Sequence, residues 1–180
     1  LAMLDVFNGN NAYASDMISA IDWVIANKNI YNIVAINMSV GDGVKNLAPC
    51  SNYTQNPLRQ PIIAARNAGI STVVASGNDG YSNGLSNPAC TPEAVSVGAV
   101  YDTNVGPVGY ATCSDPTTAA DKVTCFSNSA YYLSLLAPGA LITVVGVTTA
   151  GTSFSAPFVA GAMGVLAGTF PADTPVQRLA

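Results

Sequence analysis

Two stretches of this chain, Ile33–Ser39 and Ile70–Ser76, are apolar or small at nearly every position and rich in β-branched residues. A strand with one wet face alternates polar and apolar residues, so a continuous run is what a strand covered on both faces needs. Between and around them lie helical signals. Met17, Ile18, Ile21, Val24 and Ile25 recur at helical spacing, with Ser15 placed to cap that helix and Asp16 in its first turn. Pro57–Asn67 reads as a second helix, irregular at Pro61 and stopped by Gly69. Leu1–Phe7 reads as a short strand before the loop Asn8-Gly9-Asn10-Asn11. Further strands are expected near Ala94–Val100, Leu133–Ala137 and Leu141–Val147, then a helix over Ser153–Ala167 and the start of another in Ala172–Ala180. Strands alternating with helices predict an α/β fold with a mainly parallel sheet between helices.

The chain has 180 residues, enough for one domain or most of one. Only 9% are charged, so much of the chain is buried or covered by something else. The net charge of −4 and the lack of a Lys/Arg cluster argue against nucleic acid as the main partner. Gly and Pro interrupt every apolar stretch before it reaches the length of a membrane span. No secretory leader opens the chain, and its first residues fall inside a strand-like segment, so it reads as part of a larger protein.

Four cysteines, at 50, 90, 113 and 125, form no CxxC, and no histidine is present to complete a zinc pattern. The expectation is two disulfides and a secreted or extracytoplasmic protein. Three pairings are possible. Cys50–Cys90 with Cys113–Cys125 is favoured, the second closing a polar, turn-rich loop.

The chemistry is concentrated in Gly151-Thr152-Ser153-Phe154-Ser155-Ala156-Pro157-Phe158-Val159-Ala160-Gly161. It sets Ser153 at the head of a helix apolar almost all round, hence expected to be central. Unpaired N–H groups at a helix start carry the positive end of the macrodipole and can stabilise an oxyanion. On the bare Thr-Ser pair, the better reading is that Ser153 or Thr152 is simply an N-cap.

The whole run resembles the active-site serine signature of the subtilisin-like serine proteases, the subtilases. That resemblance implies Ser153 as nucleophile. Phe158 stands where most members have a helix-interior histidine that is not the catalytic one. Val73-Val74-Ala75-Ser76-Gly77-Asn78-Asp79-Gly80 is similar to the family strand that leads to an oxyanion-hole asparagine, which implies that role for Asn78. Ile36-Asn37-Met38-Ser39-Val40-Gly41 resembles the strand lining the substrate cleft. The backbone at Ser39, Val40 and Gly41 would pair with an extended peptide. Side chains there and at Ala75, Ser76 and Gly77 would wall the pocket for the residue before the scissile bond. Val40, Ala75 and Ser86 suggest only an uncharged residue there, apolar or not. Asn87-Pro88 falls where the family commonly has a cis bond. Phe126-Ser127-Asn128-Ser129 and Leu136-Ala137-Pro138-Gly139 also match family segments, with no chemistry assigned.

The family's Asp-[Ser/Thr]-Gly and His-Gly motifs do not occur in the chain. The resemblance therefore implies the C-terminal two-thirds of a subtilase catalytic domain, a three-layer sandwich lacking the segment that carries the catalytic aspartate and histidine. The expected function is endopeptidase cleavage through an acyl-enzyme within a larger parent protein, with the 180 residues inactive alone. The expected partners are an extended peptide or protein substrate and the missing N-terminal segment, not nucleic acid or a membrane. No cofactor is required for that chemistry. Calcium commonly stabilises subtilases, but no acidic cluster marks a metal site: Asp115 and Asp121 could serve as loop ligands and read rather as ordinary surface charges. A pseudoprotease that keeps the fold to bind peptides is the alternative. Asn52-Tyr53-Thr54 is a glycosylation sequon in a loop; Asn37-Met38-Ser39 also fits but falls in the strand expected to be buried.

Overall fold

The computed structural model describes all 180 residues. In chain order the elements are β1 (Phe7–Asn8), β2 (Asn11–Ala12), α1 (Ala14–Tyr31), β3 (Ala35–Met38), α2 (Arg59–Asn67), β4 (Ser71–Ala75) and β5 (Val95–Val100). They continue with β6 (Val108–Gly109), β7 (Ser114–Asp115), β8 (Leu135–Pro138), β9 (Ile142–Val144), β10 (Val147–Thr149), α3 (Thr152–Thr169) and α4 (Pro175–Leu179). Strands β3, β4, β5 and β8 form a four-stranded sheet in that order, every pair parallel.

The sheet is the middle of three layers. Successive residues of a strand point to opposite faces, and β4 shows what this does. Val74 joins the cluster under α1 and α2 with Ile21, Val24, Ile62 and Ala65. Val73 and Ala75 join the opposite cluster with Ala156, Val159 and Met163 of α3. All five residues of β4 are buried, so the unbroken run in the sequence has its physical reason. Helix α2 ends as Gly69 requires: at φ +82° it lets its own N–H reach Arg66 O while Ile70 N–H reaches Ala65 O, each at 2.9 Å. No helix is long and apolar enough to cross a membrane.

Several expectations are corrected. Leu1–Phe7 is not a strand; no neighbour supplies a ladder to its first six residues, and pairing begins only in the small hairpin of β1 and β2. Ser15 lies inside α1 rather than capping it; Tyr13 is the N-cap and makes no side-chain cap bond. β3 is less deeply buried than expected: it is the edge strand, Met38 is buried, Ala35 and Ile36 are half-buried, and Asn37 is exposed. Leu141–Val147 is two strands, because the chain reverses at Val145 and Gly146, both at positive φ, to pair β9 with β10. Helix α3 packs one face on all four sheet strands, but its other face, including Phe158, Ala162 and Val165, is exposed. Its apolar surface exceeds what these 180 residues cover.

Disulfides join Cys50 to Cys90 and Cys113 to Cys125, and no cysteine is free. The first ties the loop before α2 to the loop before β5. Arg59 and Glu93 tie the same two regions with a bidentate pair at 2.9 and 2.7 Å.

Candidate active site

Parallel strands deliver their carboxyl ends to one edge of the sheet, where ligands of open α/β folds bind. Here β3 runs into Ser39-Val40-Gly41, and β4 into Ser76-Gly77-Asn78. The N-terminus of α3 meets both. These three segments enclose a cavity of about 210 Å³ lined by Ser39, Val40, Gly41, Ala75, Gly77, Asn78, Thr152 and Ser153, with Gly43, Asp79 and Ser86 on its remaining wall.

The contacts across the cavity fix its geometry. Thr152 opens α3 and is fully buried. Its N–H and its hydroxyl both donate to Asn78 Oδ1, at 2.8 and 3.0 Å. That oxygen is thereby occupied, and Asn78 Nδ2 has no acceptor within the protein. The Thr152 hydroxyl in turn accepts the N–H of Gly77 at 3.2 Å, so one side chain clamps the loop after β4. Ser39 donates from its hydroxyl to the carbonyl of Ser153 at 2.9 Å, joining the end of β3 to the helix start. Ser153 is the second residue of α3, so its N–H has no helical carbonyl behind it. Its hydroxyl is also unpartnered and faces the same cavity as Asn78.

Asn128, in the Phe126–Ser129 segment to which the sequence assigned no chemistry, lies behind the site. It is fully buried. Its Oδ1 accepts the N–H groups of Asp79 and Tyr81, each at 3.0 Å, so the turn after Asn78 is held from below. Its Nδ2 donates to Asp79 Oδ2 at 3.0 Å, Ser86 Oγ at 3.1 Å and Ser76 O at 3.2 Å. Gly77 makes room for it. At φ +110°, a Cβ on Gly77 would stand 2.1 Å from Asn128 Nδ2 and 2.7 Å from Ser86 Oγ. Asn128 lies 49 residues beyond Asp79, and only the flagged Phe126–Ser129 segment hinted at it.

Of the cleft residues expected from sequence, Ser39, Val40, Gly41, Ala75 and Gly77 line the cavity together with Asn78 and Ser153. Ser76 does not. It is fully buried, its hydroxyl donates to Asn128 O at 2.9 Å, and its backbone N–H and carbonyl are both bonded inside the protein. The next residue of a strand points away from the face that Ala75 presents. The Asn87–Pro88 bond is cis.

Asp115 and Asp121 sit in different surroundings. No three acidic or thiol side chains converge anywhere. Asp115 is buried rather than a surface charge and is already spent on protein donors: Cys125 N–H at 2.8 Å, the Tyr101 hydroxyl at 2.9 Å and Lys122 at 3.3 Å. Burial works to raise its pKa, but these donors together hold the carboxyl below its ordinary value. Asp121 is exposed.

Comparison with known proteins agrees with this architecture. The sequence model of the subtilase family, Peptidase_S8, matches residues 1–179. An extracellular serine proteinase of Thermus sp. (strain Rt41A) is 32% identical over 177 residues, covering 94% of this chain and 36% of that protein. Subtilisin-like protease 2 of Trichophyton equinum is 30% identical over 171 residues, covering 89% of this chain and 34% of the other. The crystal structure of a cold adapted subtilisin-like serine proteinase superposes with a TM-score of 0.70 at 28% identity, over 95% of this chain and 54% of that one. The chain thus spans about a third of the length of these curated relatives.

Proposed function

Because the chain belongs to the subtilase family, we propose that it supplies the nucleophile and the oxyanion-binding half of a serine endopeptidase. The observation that carries this reading is the pair of hydrogen bonds that Thr152 donates to Asn78 Oδ1, which leaves Nδ2 free beside the cavity that Ser153 also lines. A donor presented this way at the head of a helix is an arrangement suited to a developing negative charge.

In the reaction, Ser153 Oγ attacks the peptide carbonyl and its proton passes to a histidine. The oxyanion accepts from Asn78 Nδ2 and from the N–H of Ser153. The histidine then protonates the leaving amine, and water resolves the acyl-enzyme. The chain contains no histidine, so that base and the aspartate that orients it come from sequence outside these 180 residues. Two surfaces support a docking place for that sequence: the open edge of β3 and the uncovered face of α3, where Phe158 and Val165 are 51% and 70% exposed. A parallel edge and an apolar helix face are normally covered. The substrate is an extended peptide or protein strand laid along Ser39–Gly41. The chemistry calls for no cofactor, and the two disulfides together with an extracellular relative support action outside the cytoplasm. The same lack of histidine favours one alternative, a peptide-binding protein that keeps the fold without the chemistry.

A serine-directed phosphonylating probe applied to the full-length protein tests the reading. Labelling of Ser153, with hydrolysis of a chromogenic peptide abolished by Ser153→Ala, is the expected result. The 180 residues alone should hydrolyse negligibly; rapid labelling of Ser153 in that chain would overturn the assignment of an external base. A full-length protein that binds peptide but neither reacts nor cleaves is the alternative.

A further inference from the structure

We propose that a second cavity, at the amino ends of the sheet strands and thus at the opposite pole from Ser153, binds a small dianion of the phosphate class, free or as an ester. Its volume is about 720 Å³. It opens where α1, α2 and α3 end and α4 begins, with Val34, just before β3, and Gly69, two residues before β4, on its wall. The cavity collects cations. The chain has only six lysines and arginines, and Lys28, Arg66 and Arg178 all line this one space against a single acid, Asp173. Both ion pairs of the molecule lie elsewhere, Arg59 with Glu93 and Lys122 with Asp115. Asp173 therefore stands beyond ion-pair distance of all three cations.

Helix C-termini attract cations in any protein, because their carbonyls carry the negative end of the dipole. That accounts for Lys28, whose ammonium donates to Ala68 O at the end of α2. It does not account for the arginines. Arg66 is half-buried and its guanidinium makes no hydrogen bond or ion pair; Glu93, the acid whose carboxyl feels it, is already taken by Arg59. Arg178 donates Nη2 to Asp173 O at 2.6 Å, while its Nε and Nη1 are shut away from solvent with no acceptor. A guanidinium keeps its charge, and sealing it from water without a counter-charge is costly. A dianion in the cavity offsets that cost through its field, without touching the two sealed nitrogens. Val34, Ala167 and Val176 make part of the wall apolar, which leaves room for the carbon body of an ester.

Calorimetric titration of the full-length protein with inorganic phosphate, and separately with glycerol phosphate, tests this at constant ionic strength. Binding with a Kd of about 1 mM or tighter is expected. An ester that binds tighter identifies an esterified ligand, and one that binds no tighter identifies the free ion. Arg66→Gln should weaken binding about tenfold, as loss of a charge-assisted hydrogen bond does. Arg178→Gln should do the same, and Arg178→Lys should restore most of the loss. If Arg178→Gln does not fold, Arg66→Gln decides alone. Lys45→Gln removes a cation outside the cavity, held 5.3 Å from the Tyr81 ring centroid, and should leave the affinity unchanged. Failure of both phosphates to bind, or binding that Arg66→Gln leaves intact or that Lys45→Gln weakens equally, overturns the proposal.

Discussion

Asn78 and Thr152 are 74 residues apart in sequence and are joined twice in space, through the N–H and the hydroxyl of Thr152 to one amide oxygen. An asparagine side chain is a two-ended dipole, so fixing its oxygen also fixes where its NH₂ points. Thr152 therefore acts as the positioning residue for the donor, while Ser153, its neighbour, carries the reacting oxygen.

Thr152→Val keeps the branched shape and the backbone bond but removes the hydroxyl. Asn78 then loses one of its two holds, and the Gly77 N–H loses its acceptor. Leaving a buried donor unpaired costs about 1–3 kcal/mol, readable as a lower urea midpoint. In the complete enzyme kcat should fall about 10-fold to 100-fold with KM little changed, because the donor matters most as charge develops. Thr152→Ser should recover most of both losses.

Gly77→Ala places a methyl on top of the Asn128 amide and forces an L-residue to φ +110°. Neither neighbour is a flexible side-chain tip with room to retreat, since Asn128 is fully buried and bonded at both ends. We expect a loss of at least about 3 kcal/mol, measured by chemical denaturation. A variant with wild-type stability would show that the Asn128 network is not rigid.

Stability should fall off at both ends of the pH scale. The Arg59 hydrogen bonds hold the Glu93 carboxyl low, and Asp115 is also lowered although burial opposes it. A depressed carboxyl stabilises the fold above its unfolded value, and that contribution is lost as pH falls through the lower folded value, so the loss begins below about pH 4. Burial pushes the Tyr101 and Tyr110 hydroxyls up, with Asp115 acting in the same direction on both. A raised tyrosine stabilises fully below its ordinary value of 10.0 and less as pH climbs beyond it. Urea midpoints from pH 2 to 11 should show both limbs, and Asp115→Asn should flatten the acid one.

Loss of either disulfide should destabilise in proportion to the loop it closes. Cys50–Cys90 spans 40 residues and Cys113–Cys125 spans 12. Chain entropy then gives about 4 kcal/mol for the first and about 3 kcal/mol for the second. Paired Cys→Ala variants compared by denaturant titration give the order, and a larger loss from the shorter loop would contradict the chain-entropy account.

The strands and helices that lie deep in this chain were legible because each carries its own local signal. β4 is buried on both faces and its sequence is unbroken in the same way, and Gly69 stops α2 as its composition suggests. The misreadings fall where a partner decides the outcome. Leu1–Phe7 has strand composition but no neighbouring strand, and Ile33–Ser39 has a core-strand pattern yet runs along an edge. Apolar pattern reports what a segment can bury, not what arrives to bury it.

The sequence alone determined that a small-residue helix would begin at Thr152–Ser153 and that apolar strands would alternate with helices, since propensity and periodicity act over a few residues. Tertiary structure alone decided that Thr152 grips Asn78, that Asn128 props the turn from 49 residues away, and that Asp79 faces the cavity while Ser76 turns from it. Those relations depend on strand register and on which face of the sheet a helix covers, and no local stretch of chain encodes either.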